Sequence, residues 1–213
     1  MAVVAGRCPN CGAPITFSWA GSVQAVCPFC RSVIVRHDVD LSRVGEVATV
    51  PEDSSPIQIG TTGRIDDKAF TVTGRIVYQY ARGGWNEWHL AVADGTSAWL
   101  SDAMAEYAVS RQLTASTGLP AANDLRAGLP FKWSGTEFRV TTLTRARYRT
   151  VEGELPFEYW NKDDVLFADL RSTDGQFATI DYSEEPPLVF AGRFVEFDDL
   201  ALSNVRRFEG WPT

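Results

Sequence analysis

Two pairs of cysteines constrain this chain more than any other feature. The spacing runs Cys8-Pro9-Asn10-Cys11-Gly12, then Cys27-Pro28-Phe29-Cys30-Arg31. Two residues between cysteines let a tight turn aim both sulfurs at one ion, and two such turns complete the tetrahedral four-sulfur shell that zinc prefers. Pro9 and Pro28 preset the turns, and Gly12 supplies a positive φ where the first one closes. Between the turns Ile15, Phe17 and Trp19 alternate with Thr16 and Ser18; after them Val33, Ile34 and Val35 form a short apolar run. Residues 1–36 therefore read as a zinc ribbon holding one structural Zn2+ on Cys8, Cys11, Cys27 and Cys30. So short a segment buries too little apolar surface to fold alone, and a structural zinc typically supplies about 10–16 kcal/mol. The same cysteines also accommodate two disulfides, a redox pair, or an iron centre of rubredoxin type. A catalytic zinc is not expected, because four Cys leave no open position for water. His37 reads as a solvated linker residue.

All four cysteines lie in the first thirty residues, and no apolar run reaches the roughly 18 residues that span a bilayer. Met1–Arg7 lacks the charged start and long apolar stretch of a signal peptide. Together these imply a cytoplasmic protein with no direct membrane insertion, in which reduced thiols favour a metal. The formal charge is −7, and residues 1–37 hold Arg7, Arg31 and Arg36 but no acid, leaving 17 basic against 27 acidic residues in the remainder. That balance disfavours nucleic acid over most of the surface, since nonspecific binding rests on neutralising phosphates. Only the ribbon is a plausible contact for an anionic partner.

Seven Trp, six Tyr and twelve Phe, with many Val, Thr and Ile, favour strands. Residues 37–56, ending in Pro51-Glu52-Asp53-Ser54-Ser55-Pro56, read as a linker. In the stretch 70–80, Phe70, Val72, Gly74, Ile76, Tyr78 and Tyr80 alternate with more polar neighbours, predicting a strand with one core face. Gly83-Gly84 marks a turn, Trp88, Leu90 and Val92 alternate with Glu87, His89 and Ala91, and Asp94-Gly95 predicts a hairpin into Ala98-Trp99-Leu100. Residues 103–113 fit a short helix or another strand.

The pattern then recurs. Phe138-Arg139-Val140-Thr141 echoes Phe70-Thr71-Val72-Thr73, and Leu170, Asp174-Gly175 and Ala178-Thr179-Ile180 echo Leu90, Asp94-Gly95 and Ala98-Trp99-Leu100. The offset grows from 68 to 80 residues, implying a twelve-residue insertion near 151–162. Chance similarity among strands and a degenerate duplication both accommodate this, the duplication being the economical reading. The expected fold is mainly β: the ribbon, the linker, and over 57–213 a tandem, pseudo-duplicated antiparallel β module of sandwich or barrel type. Its units span about 57–118 and 128–208.

Several stretches across residues 57–205 resemble a bacterial family known as a domain of unknown function, DUF4178, whose members often carry an N-terminal zinc ribbon. They are Ile59-Gly60, Thr73-Gly74-Arg75-Ile76, Trp85-Asn86-Glu87-Trp88, Trp99-Leu100, Glu152-Gly153-Glu154-Leu155-Pro156 and Ala178-Thr179-Ile180-Asp181-Tyr182. The resemblance implies an accessory role in a polyamine- or membrane-associated system. It supplies no catalytic motif.

Three groups are candidate binding residues. Arg145, Arg147 and Arg149 would share one strand face and grip an anion, or form a solvated face paired with acids. Glu152 and Glu154 flank Gly153, where the apolar parity breaks and a bulge is expected; they would do acid and base chemistry if buried together, or cap a bend and face Arg or solvent. Trp85 and Glu87, with Trp88, would form an aromatic and acidic pocket for a cation such as a polyamine, although Trp88 fits the core alternation. His89 shares the parity of Glu87 and reads as exposed. No nucleophile elbow, phosphate loop, dinucleotide fingerprint or zinc-protease helix occurs. The leading expectation is a non-enzymatic adaptor that docks a protein partner. A small-ligand module for polyamine-like cations and nucleic-acid binding through the ribbon are the alternatives.

Overall fold

The computed structural model describes residues 4–37, 40–48, 55–114, 117–158 and 164–208. The N-terminal lobe is built on β1 (Val4–Arg7) paired with β2 (Pro14–Phe17), and on β3 (Gln24–Val26), β4 (Ser32–His37) and β5 (Asp40–Glu46) in antiparallel order. Its core is small: Ile15, Phe17, Ala25 and Ile34 pack around Cys8 and Cys27. The strand β5 corrects the linker reading of 37–56. Its polar residues, such as Asp40, Arg43 and Glu46, leave no apolar alternation to see, because it is an edge strand. Ser55 and Ile57 are also buried, so the end of that stretch is packed against the body; residues 49–54 lie outside the described residues.

The rest is two five-stranded meanders. The first comprises β6 (Thr62–Ile65), β7 (Lys68–Tyr80), β8 (Gly83–Val92), β9 (Ser97–Ala103) and β10 (Glu106–Leu113). The second comprises β11 (Pro130–Trp133), β12 (Thr136–Leu155), β13 (Val165–Ser172), β14 (Gln176–Asp181) and β15 (Leu188–Val195). Residues 106–113 are thus a strand, with Met104 and Ala105 forming the tight turn before it. The Asp94-Gly95 and Asp174-Gly175 hairpins close as the sequence predicts, both glycines at positive φ.

The meanders join edge to edge twice, β7 to β12 and β10 to β15, both antiparallel. Followed round, the pairing runs β7, β8, β9, β10, β15, β14, β13, β12 and back to β7. Eight strands thus close into a barrel, and closure removes the open edges that either meander alone would expose.

The two units match residue for residue in register. Val72 pairs with Leu90 and, after one bulged residue, Gly74 pairs with His89; in the second unit Val140 pairs with Leu170 and, after the same bulge, Thr142 pairs with Asp169. Leu90 then pairs with Ala98 as Leu170 does with Ala178, and Leu100 pairs with Val109 as Ile180 does with Val189. Chance similarity between strands does not reproduce a shared bulge and four shared pairings, so the module is a tandem repeat.

Each meander has a buried outer face. Phe70, Val72, Trp88, Leu90 and Leu100 are covered by Ile57 and the C-terminal segment around Leu200. Phe138, Val140, Leu170, Ile180 and Val189 are covered by residues of the 119–131 segment. The expectation of one core face and one solvent face is therefore corrected: the second face of each strand points into the barrel.

The insertion in the second unit lengthens β12, which leaves the barrel and pairs with the ribbon, Glu154 opposite Ala25 and Leu155 opposite Gln24. Gly74 and Gly153 sit where β7 and β12 cross; a Cβ on either would overlap the other strand's backbone.

Candidate functional site

The four cysteine sulfurs lie within 4.8 Å of one another. Cys8 Sγ is 3.6 Å from Cys30 Sγ, and Cys11 Sγ is 3.8 Å from Cys27 Sγ. A tetrahedron with metal–sulfur bonds of about 2.3 Å has edges of about 3.8 Å, whereas a disulfide needs about 2.05 Å. The arrangement fits a tetrahedral metal ion. Two matched turns build it: Gly12 N–H donates to Cys8 O and Arg31 N–H to Cys27 O, with Gly12 and Arg31 both at positive φ. Ser32 Oγ accepts from Arg43 Nε at 3.0 Å and lies 3.3 Å from Cys30 Sγ, so its own proton is directed at that sulfur. His37 is exposed at the end of β4 and belongs to no such cluster.

Glu152 and Glu154 are not brought together. Glu152 pairs with Arg75 at 3.1 Å, whose guanidinium is buried, held by Asn86 and stacked 4.6 Å over Trp88. Glu154 is buried and turned to the ribbon: its carboxylate accepts from Ser18 N–H at 2.8 Å, and from the hydroxyls of Ser18 and Ser22 at 2.6 Å each. It is a latch between ribbon and barrel. The expected bulge at Gly153 falls instead at Arg149, the extra residue between the Tyr148 and Thr150 pairings.

That bulge also breaks the arginine stripe. Arg145 and Arg147 are exposed on the outer surface, paired with Asp164 and Gln79 respectively, while exposed Arg149 lies on the irregularity. They do not converge on one anion.

Alternate residues of all eight ring strands line one cavity of about 650 Å³, which is therefore the barrel interior. Its wall is aromatic: Tyr78 and Trp85 stack at 4.8 Å, Phe167 sits edge-on to both at 5.1 and 5.5 Å, and Trp99 stacks on Phe157 at 5.7 Å. Of the residues singled out from sequence, Trp85 and Glu87 both face it, while Trp88 is in the outer core.

Glu87 Oε1 accepts from Trp85 Nε1 at 2.9 Å and Ser101 Oγ at 2.6 Å. What surface Glu87 keeps faces the cavity. Burial pushes its carboxyl up to about 7 despite those two hydrogen bonds, and the acids Asp169 and Asp102 add to the rise. Asp169, also on the wall, is raised by burial and accepts from Thr179 Oγ1 at 2.8 Å.

His89 is wholly buried, which corrects its exposed reading. Its ring lies between the ribbon's Trp19, at 5.0 Å, and Trp99, at 5.2 Å. Thr73 Oγ1 lies 2.7 Å from Nδ1 and Ser97 Oγ 2.7 Å from Nε2. Burial lowers its pKa to about 4, so the ring is neutral, one nitrogen donating and the other accepting. Ribbon and barrel thus meet at a packed contact in which both nitrogens of His89 are hydrogen-bonded.

Sequence reasoning missed Tyr78, Trp99, Phe167 and Asp169 as wall residues. One signal was present: Trp85 shares the parity of Glu87 and His89, opposite to the apolar series Trp88, Leu90 and Val92.

Among the described residues no helix is long and apolar enough to cross a membrane. The model for the family described as domain of unknown function (DUF4178) matches residues 58–197, which take in the whole ring of strands, and the chain belongs to that family. Neither the curated proteins nor the solved structures gave a match.

Proposed function

We propose, from membership of a family that carries no assigned activity, that this chain is a binding protein whose closed barrel takes a small organic cation into its interior. The observation that carries the reading is the placement of Glu87. Its carboxyl stands in a cavity walled by Tyr78, Trp85 and Phe167, with its ionised form disfavoured by burial. A cation neutralises that carboxylate, and its apolar body lies against ring faces that attract positive charge. A volume of about 650 Å³ falls in the range of small-molecule sites, roughly 300–1,000 Å³. This is the cationic-ligand alternative of the sequence reading, and it displaces the adaptor as the leading one. The activity is binding without turnover.

Calorimetric titration of an n-alkylamine, its neutral alcohol and its carboxylate analogue tests this. Saturable binding of the amine alone, weakened at least tenfold by Trp85→Ala, is expected. An equal response to all three, or none to any, contradicts it.

The ion in the four-sulfur site is proposed to be zinc, held structurally in a reducing, cytoplasmic setting. The tetrahedral sulfur edges support this. Protein purified under reducing conditions is expected to carry one zinc per chain; iron, or no stoichiometric metal, overturns it.

One observation keeps the adaptor as a second reading: Phe29, at the tip of the second cysteine turn, is 69% exposed. A protein partner bound by the wild type and lost in Phe29→Ser, with metal content unchanged, would support it. A partner retained by the variant would not.

A further inference from the structure

The barrel interior contains a second carboxyl that the single-cation reading leaves unused. Asp169 lines the cavity on β13, and Thr179 satisfies only Oδ1. Among the described residues Oδ2 of Asp169, like Oε2 of Glu87, meets no donor. The charge of Asp169 adds to the cost of ionising Glu87.

The basic side chain nearest in sequence makes no ion pair with Asp169, although its charge offsets part of the cost of burial. Arg171, two residues along the same strand, turns to Glu106 at 2.9 Å and lies over Phe194 at 4.0 Å, at the rim of the cavity. Of the other wall acids, Asp181 Oδ1 accepts from Ser183 N–H at 2.8 Å, Glu106 holds Arg171, and Glu158 and Glu184 are exposed to solvent. The half-buried acids Glu87 and Asp169 thus each keep one carboxylate oxygen toward the cavity, with rings of Trp85, Phe167 and Tyr78 along the wall between β8 and β13.

An unpaired carboxylate oxygen is an acceptor and requires an N–H donor, which a quaternary ammonium lacks. Two such oxygens with an apolar wall between them specify two donor-bearing heads joined by a hydrocarbon chain. We propose that the ligand of the barrel is an α,ω-diammonium alkane, one head on Glu87 and the other on Asp169, with its methylene chain against the aromatic wall. The two acids occupy non-equivalent positions of the two repeats, since Glu87 corresponds to Phe167 and Asp169 to His89. The site is therefore asymmetric in spite of the pseudo-twofold fold, and the heads of an unsymmetrical diamine would be distinguished.

This inference rests on the cation reading of the interior, and the experiment separates the two. A series of α,ω-diaminoalkanes and the matched n-alkylamines is titrated calorimetrically into the wild-type chain and into Asp169→Asn. At the best chain length the diamine is expected to bind at least tenfold more tightly than its monoamine. Asp169→Asn should reduce that ratio to within about threefold while leaving the monoamine affinity within about threefold of wild type. Monoamine binding with no diamine advantage at any chain length overturns the second head and leaves the single-cation reading standing. A diamine advantage that survives Asp169→Asn also overturns it. Binding of neither class removes the underlying reading and this one with it. If Asp169→Asn does not fold, the wild-type ratio of diamine to monoamine still decides.

Discussion

The outward and inward faces of the two repeats differ sharply. Outward, five equivalent pairs are identical, Phe70 and Phe138, Val72 and Val140, Leu90 and Leu170, Ala98 and Ala178, Val109 and Val189, while Leu100 answers to the similar Ile180 and Trp88 to the smaller Ala168. Inward, they hold Trp85 and Val165, Glu87 and Phe167, His89 and Asp169, Ser97 and Phe177, Trp99 and Thr179, Ser110 and Phe190: different each time. The outer faces meet one requirement twice, to pack a covering segment against a pleated sheet, and one solution serves both. The interior is shared by the two repeats, so bulk on one side must be matched by a small residue on the other. Trp99 faces the barrel where its counterpart is Thr179, and Phe190 where its counterpart is Ser110. The mismatch makes the interior asymmetric, and Glu87 and Asp169 stand there among aromatic rings. On the proposed reading, fold is carried on the outside of this barrel and binding chemistry on the inside.

Five variants test that division, in descending order of effect. Leu90→Ala and Leu170→Ala delete equivalent, fully buried outer side chains, and each should cost about 2–5 kcal/mol in denaturant unfolding. The two losses should be similar, and unequal ones would weaken the claim that the outer faces do the same job. Glu154→Ala leaves the Ser18 amide and the Ser22 hydroxyl without their acceptor and should cost roughly 2–3 kcal/mol. Proteolysis should then cut the ribbon before the barrel, which would show the latch to be local.

Glu87→Gln should act in the opposite direction. The folded carboxyl titrates near 7 against an ordinary value of 4.5. Its contribution to stability is therefore greatest below about 4.5 and is lost as the pH rises through 7. The ligand-free variant should equal the wild type near pH 4.5 and exceed it by roughly 2 kcal/mol at pH 8. His89 has the reverse slope between about 4 and 6.5, its folded value being depressed, but it is common to both proteins and cancels in the difference. A variant no more stable than wild type at pH 8 would mean that the interior does not desolvate this carboxyl. Arg147→Ala, on the exposed outside of the ring, should change stability by no more than about 0.5 kcal/mol and leave amine binding untouched.

The cysteine spacing made the metal-site geometry legible in sequence, because two short turns are local structures with few alternatives. Strands and hairpins were legible for the same reason: alternation at 70–80 and the two Asp-Gly turns act over a few residues. So was the repeat, through the outward residues the two units share. Closure of the ring was not legible, since pairing β7 with β12 and β10 with β15 depends on contacts far apart in the chain. Alternation shows that a strand has two faces without saying what lies behind each. His89 and Glu87 therefore read as solvent-facing until the barrel enclosed them. Glu154 could not be recognised as a latch, because its donors lie more than a hundred residues away on the ribbon. The strand β5 escaped notice because an edge strand needs no apolar side chains to hold its place.

The most direct test of the central claim is a crystal structure of the chain with an n-alkylamine bound. The ammonium nitrogen should lie within hydrogen-bonding distance of Glu87 Oε2, with the alkyl chain against Trp85 and Phe167. An interior holding only water, with the amine on the outer surface, would contradict it.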